Sequence, residues 1–123
     1  MYKIILALFC SLIASLSFAD NCDNTRNTYD DIYCTNKIYA SADADLNKNY
    51  QQLRTKLTNT QQKVLKKSQL AWIRHRDVTC SDEQQNSVDV ECRLSSTQQR
   101  NHWLLERLRE CNTVGCKTTR LSQ

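Results

Sequence analysis

The stretch YASADADLNKNYQQLRTKL, from Tyr39 to Leu57, decides the fold. Tyr39, Ala42, Leu46, Tyr50, Leu53 and Leu57 recur at intervals of three and four, with polar and charged residues between them. An α-helix turns once in ~3.6 residues, so this spacing lines up one apolar stripe. It predicts a first helix from about Thr28 to Lys56. Thr58 followed by Gln61 then has the spacing of a capping box, in which each side chain satisfies the other's backbone N–H.

A second helix is expected from about Gln61 to Cys80. Leu65, Ser68, Trp72 and His75 share its face, with Val64, Ala71 and Val78 alongside. Ser81 to Glu91 has no apolar period and reads as a loop. A third helix is expected from about Arg93 to Glu110 on the stripe Leu94, Thr97, Asn101, Leu104 and Leu108. The tail from Asn112 is polar, and Gly115 suits a turn. Composition agrees, because the chain has no proline and its single glycine is Gly115. A sheet protein needs glycine and proline at its tight turns, whereas their avoidance favours long helices. The fold class is therefore all-α: a small antiparallel three-helix bundle, since short connections make successive helices antiparallel.

The first 19 residues have a different character. Lys3 precedes an apolar run from Ile4 to Phe18, and Ser17-Phe18-Ala19 places small residues at both positions that a signal peptidase reads. A signal peptide over 1–19 with cleavage after Ala19 is expected, leaving 20–123 as one domain. The run is short and serine-rich for a membrane anchor. Leu8-Phe9-Cys10 carries an aromatic where lipid attachment needs a small residue, so Cys10 reads as part of the run.

Six of the seven cysteines then remain: Cys22, Cys34, Cys80, Cys92, Cys111 and Cys116. An even set in a short exported chain is a disulfide framework, which places the protein in an oxidising compartment, the periplasm or outside the cell. Cys34 on the rising first helix and Cys80 on the descending second fall at one level, which favours Cys34–Cys80. Cys111–Cys116 then closes across Gly115 and Cys22–Cys92 remains. Cys22–Cys34 with Cys80–Cys92 is the rival pairing.

Residues from all three helices resemble one family. Cys34, Tyr39, Ala42-Asp43, Leu46-Asn47, Tyr50 and Leu53 match its first helix. Gln69-Leu70-Ala71-Trp72-Ile73, Arg76-Asp77 and Cys80 match its second, and Cys92, Thr97 and Arg100 its third. The chain resembles the LprI-like lysozyme inhibitor N-terminal domain family over roughly 22–108. The resemblance implies bacterial export, a helical disulfide-bonded fold and, for the namesake, lysozyme inhibition. His75 departs from the pattern where an aromatic is usual, and Cys111 with Cys116 looks like an added pair. Among the matched residues, Trp72 reads as a core anchor. Arg76, Asp77 and Arg100 read as an ion-pair network that sets the register of the second and third helices, rather than as a cleft built around Asp77.

Catalysis, metal and cofactor have little to draw on. His75 and His102 are the only histidines and neither belongs to a His-Glu-x-x-His pattern. No Cys-x-x-Cys occurs. A small helical phospholipase would need a glycine-rich calcium loop, which one glycine does not supply. Glycoside cleavage needs two carboxylates facing one bond, and Asp43 and Asp45, two apart, point to different sides of a helix. No catalytic residue, metal ligand or cofactor site is assigned.

Charge is more informative. The net charge of +4 includes Lys3, so the exported chain carries +3. Residues 20–46 carry −4, 47–80 carry +7, 81–91 carry −4 and 92–123 carry +4. In an antiparallel hairpin both acidic segments come to one pole, which predicts a dipolar molecule. Long-range repulsion disfavours contact between a net-basic protein and a cationic lysozyme, but an acidic pole attracts it. Asp82, Glu83, Asp89 and Glu91 are therefore the candidate partner contact. The plainer reading of the same acids is helix-dipole complementation and a solvated loop. Lys63, Lys66, Lys67 and Arg74 read first as a solvated helix face, with anionic lipid or lipopolysaccharide as the alternative partner of this basic surface. Nucleic acid is not expected, since no aromatics interleave with these bases. Two functions stand: an exported inhibitor of a lysozyme or related cell-wall hydrolase acting by occlusion, and a periplasmic adaptor or immunity-type module that inhibits no lysozyme.

Overall fold

The computed structural model describes Cys22 and residues 27–123. The signal segment, its cleavage position and Cys10 lie outside the described residues. In chain order the elements are α1 (Thr28–Arg54), α2 (Asn59–Thr79), β1 (Ser81–Asp82), β2 (Ser87–Val88) and α3 (Val90–Thr113), followed by a 3-10 turn at Thr118–Arg120.

Local chemistry sets each boundary. The Asn27 side chain accepts from the Asp30 N–H at 3.0 Å and caps α1, with Asp30 and Asp31 in its positive first turn. Thr58 and Gln61 form the anticipated capping box at the start of α2: Thr58 N–H donates to Gln61 Oε1 at 3.1 Å, and Gln61 N–H donates to Thr58 Oγ1 at 3.2 Å. Asp89 caps α3 by accepting from the Cys92 N–H at 2.9 Å. That cap starts α3 at Val90, three residues before the expected Arg93. At its far end Gly115, at φ +97°, turns the chain in a conformation open to glycine, and its N–H returns to the Glu110 carbonyl at 2.9 Å.

The segment 81–91 is not the structureless loop expected. Ser81 pairs with Val88 and Asp82 with Ser87 in a two-rung antiparallel ribbon. Asp82 Oδ1 accepts from the Gln84 and Gln85 N–H groups, and Asn86 takes the positive φ of 48° that closes the turn. Such a ribbon has no apolar alternation to read because all four of its residues are exposed.

The core is a leucine cluster: Leu46 and Leu53 from α1, Leu57 from the first turn, Leu65 from α2, Leu104 from α3 and Leu121 from the tail. Tyr50, Trp72, Trp103 and Leu108 pack against it. The α1 stripe is thus the inward face, as its spacing requires. On α2 the expected face is only partly right. Leu65 and Ser68 are buried, but His75 and Ala71 are exposed and Val78 is 75% exposed, while Gln69 and Arg76 turn inward. The tail is less polar in role than in composition, because Leu121 is 1% exposed inside the core.

α1 and α3 lie side by side at close range, with small and polar residues between them. Asn101 donates to the Ala42 carbonyl at 3.0 Å, and Asn49 donates to Asn101 Oδ1 at 3.1 Å. α2 stands further off, spaced by Trp72, Arg76 and Arg100. This spacing overturns the favoured Cys34–Cys80 pairing. The disulfides are Cys22–Cys34, Cys80–Cys92 and Cys111–Cys116. Equal height along a hairpin is no guarantee of lateral contact. The β ribbon, closed by the Asp89 N–H on the Cys80 carbonyl at 2.8 Å, instead brings the Cys80 and Cys92 Cα atoms to 5.4 Å.

Candidate functional site

The family-matched residues meet in the interior. Arg76, 7% exposed, donates from Nε to Asp77 Oδ1 at 3.0 Å and from Nη1 to Thr97 Oγ1 at 3.3 Å, and Nη1 lies 3.5 Å from Asp43 Oδ1. Arg93 reaches the same Asp77 oxygen at 3.6 Å. The guanidinium sits 5.0 Å from the Trp72 ring centroid and 6.0 Å from that of Tyr39. One arginine thus ties α1, α2 and α3 together, with its charge met by two carboxylates and two aromatic faces.

Arg100 does not join that ion-pair network. It is 6% exposed and donates to Gln69 Oε1 at 2.9 Å, Ser68 Oγ at 2.8 Å and the Gln123 main-chain oxygen at 2.9 Å. Its guanidinium stacks 3.8 Å from the Trp103 ring centroid and 5.8 Å from that of Trp72. Burial pushes its pKa down to about 10, which leaves it charged at neutral pH. The link to Arg76 runs through the shared Trp72 face and not through Asp77. These groups are mutually engaged, and His75 and His102 are exposed and apart from them. Among the described residues no group of three His, Cys, Asp or Glu side chains is placed to hold a metal ion.

One end of the molecule gathers acidic and apolar groups at its surface. The start of α1 and the start of α3 bound a groove of about 290 Å³, lined by Asp31, Ile32, Thr35, Val88, Asp89, Val90 and Glu91. The two acidic segments therefore do come together, Asp31 from one and Asp89 and Glu91 from the other. Asp82 and Asp89 hold the ribbon turn and the α3 cap, while Glu83 and Glu91 project as exposed carboxylates. Beside them is an apolar surface that the charge pattern did not disclose. Tyr29 is 76% exposed, Ile32 55%, Tyr33 65% and Val88 47%. Tyr29, Ile32 and Tyr33 lie at i, i+3 and i+4, a signature of one helix face. Their three-four spacing is the same signal that marks the core stripe from Tyr39 onward, so the sequence shows that they share a face but only the structure shows that this face is exposed. Cys22–Cys34 and Cys80–Cys92 both brace this end.

Fold and surface together define a helical, disulfide-braced module with a rigid acidic and apolar end. The model of the lysozyme inhibitor LprI family matches residues 19–113, and the chain belongs to that family. No curated protein and no solved structure matches the chain.

Proposed function

We propose that this protein is an exported inhibitor that docks its acidic end on a lysozyme or related cell-wall hydrolase and occludes the enzyme's substrate cleft. The observation that carries the reading is the groove where Ile32 and Val88 are exposed among Asp31, Asp89 and Glu91. Carboxylates steer a cationic enzyme into place, and exposed tyrosine and isoleucine supply the desolvated contact that holds it. The two disulfides at this end keep the surface pre-organised, which lowers the ordering cost of binding. Family membership supports a lysozyme as partner, and the disulfides support a site of action outside the cytoplasm.

The test is a turbidity assay with the oxidised protein and several lysozymes. The informative variant carries Asp82→Asn, Glu83→Gln, Asp89→Asn and Glu91→Gln together. Asparagine caps a helix as well as aspartate does, so the fold is retained while four charges go. Inhibition should weaken on the order of tenfold or more at low ionic strength, and added salt should weaken the parent protein's inhibition. Unchanged inhibition by the variant would dispose of the acidic-end contact. A folded, oxidised protein that inhibits none of the lysozymes would favour the adaptor or immunity-type module.

A further inference from the structure

The opposite end of the helices carries a second concavity. Tyr50 and Arg54 of α1 face Asn59, Gln62, Lys63 and Lys66 of α2 across a groove of about 360 Å³. The spacing builds it from both sides. Tyr50 and Arg54 are i and i+4, and Asn59, Gln62, Lys63 and Lys66 are i, i+3, i+4 and i+7, so each set is a single stripe. Gln62 fixes the two stripes together by donating through Nε2 to the Arg54 carbonyl at 3.1 Å and the Leu57 carbonyl at 3.4 Å. No carboxylate lines the groove, and Arg54, Lys63 and Lys66 have no ion-pair partner among the described residues.

Three cations held around one concavity without a counter-charge repel one another, and the arrangement is relieved by an anion between them. The lining offers what an oxyanion needs: guanidinium and ammonium donors, the side-chain amide of Asn59, and the Tyr50 hydroxyl. An apolar ligand is unsuited to it, because nearly all of its lining groups are polar. Ile32 in the acidic groove and Tyr50 and Arg54 in this one are roughly 20 residues apart on α1, so at ~1.5 Å per residue the two lie roughly 30 Å apart, several Debye lengths. The two ends can therefore engage different partners at once.

We propose that this groove is a binding site for a phosphate-bearing anion. Two probes separate a free phosphate from a lipid headgroup. Inorganic phosphate, titrated at constant ionic strength and followed by NMR, should shift the Gln62, Lys63 and Lys66 resonances saturably. Vesicles of phosphatidylcholine containing phosphatidylglycerol should retain the full oxidised chain more than phosphatidylcholine alone. Phosphate shifts with vesicle retention assign a headgroup, and phosphate shifts alone assign a small phosphate compound. Lys63→Gln with Lys66→Gln should weaken binding roughly 25-fold, about fivefold per charge removed. Lys48→Gln with Lys117→Gln removes the same charge outside the groove and should change it less than about threefold. Absence of saturable shifts at these residues, or equal losses in the two double variants, would overturn the proposal. Circular dichroism unchanged from the parent confirms that each variant is folded.

Discussion

Replacing Arg100 with lysine keeps the positive charge and removes the planar fork, so it isolates what the fork contributes. In the structure that fork makes three hydrogen bonds of 2.8–2.9 Å, to Ser68, Gln69 and the Gln123 main-chain oxygen, and stacks 3.8 Å from the Trp103 ring centroid. One ammonium on a flexible stem cannot reach all three acceptors in that geometry, and it is more strongly hydrated, so burying it costs more. Losing two bonds from a charged donor at ~1.5 kcal/mol or more each, with some of the ring stacking, amounts to about 3 kcal/mol. Domains of this kind have roughly 5–15 kcal/mol in total, so the loss is large. The assay is equilibrium urea denaturation of the oxidised protein. With a slope of about 2 kcal/mol/M the midpoint should fall by about 1.5 M and the slope should stay constant. Arg109→Lys is the control. Its exposed pairing with Glu106 predicts a change within about 0.5 kcal/mol. A midpoint for Arg100→Lys within about 0.3 M of the parent would refute the view that this fork binds α2 to α3.

Other expectations concern the core, the staples and a cap. Leu53 is fully buried, so Leu53→Ala should cost about 2–5 kcal/mol and lower the thermal midpoint by ten degrees or more. Replacing Cys80 and Cys92 by serine opens a loop with a sequence separation of 12, worth about 3 kcal/mol by chain entropy. Replacing Cys111 and Cys116 opens one of 5, worth about 2 kcal/mol, and should spare inhibition where the Cys80–Cys92 change reduces it. Thr58→Ala removes one arm of the capping box and should cost about 1 kcal/mol in a urea melt, whereas Thr58→Ser should be nearly silent.

Helices were legible in this chain because helicity is written at short range. The three-four recurrence from Tyr39 to Leu57, the Thr58–Gln61 box and the near absence of glycine and proline all act within a few residues along the chain. So do the even cysteine count and the alternating blocks of charge, and the acidic blocks do gather at one end. What depends on neighbours across the bundle was not legible. Cys34 and Cys80 fall at one height yet take other partners, because bulky Trp72, Arg76 and Arg100 hold α2 away while the ribbon folds Cys92 back onto Cys80. Arg76, Arg100 and Gln69 are buried although composition would place them outside, because each finds its acceptors or an aromatic face on another element. Leu121 belongs to the core although the tail around it is polar. Periodicity records which way a side chain leaves its own helix; only lateral packing decides what it meets there.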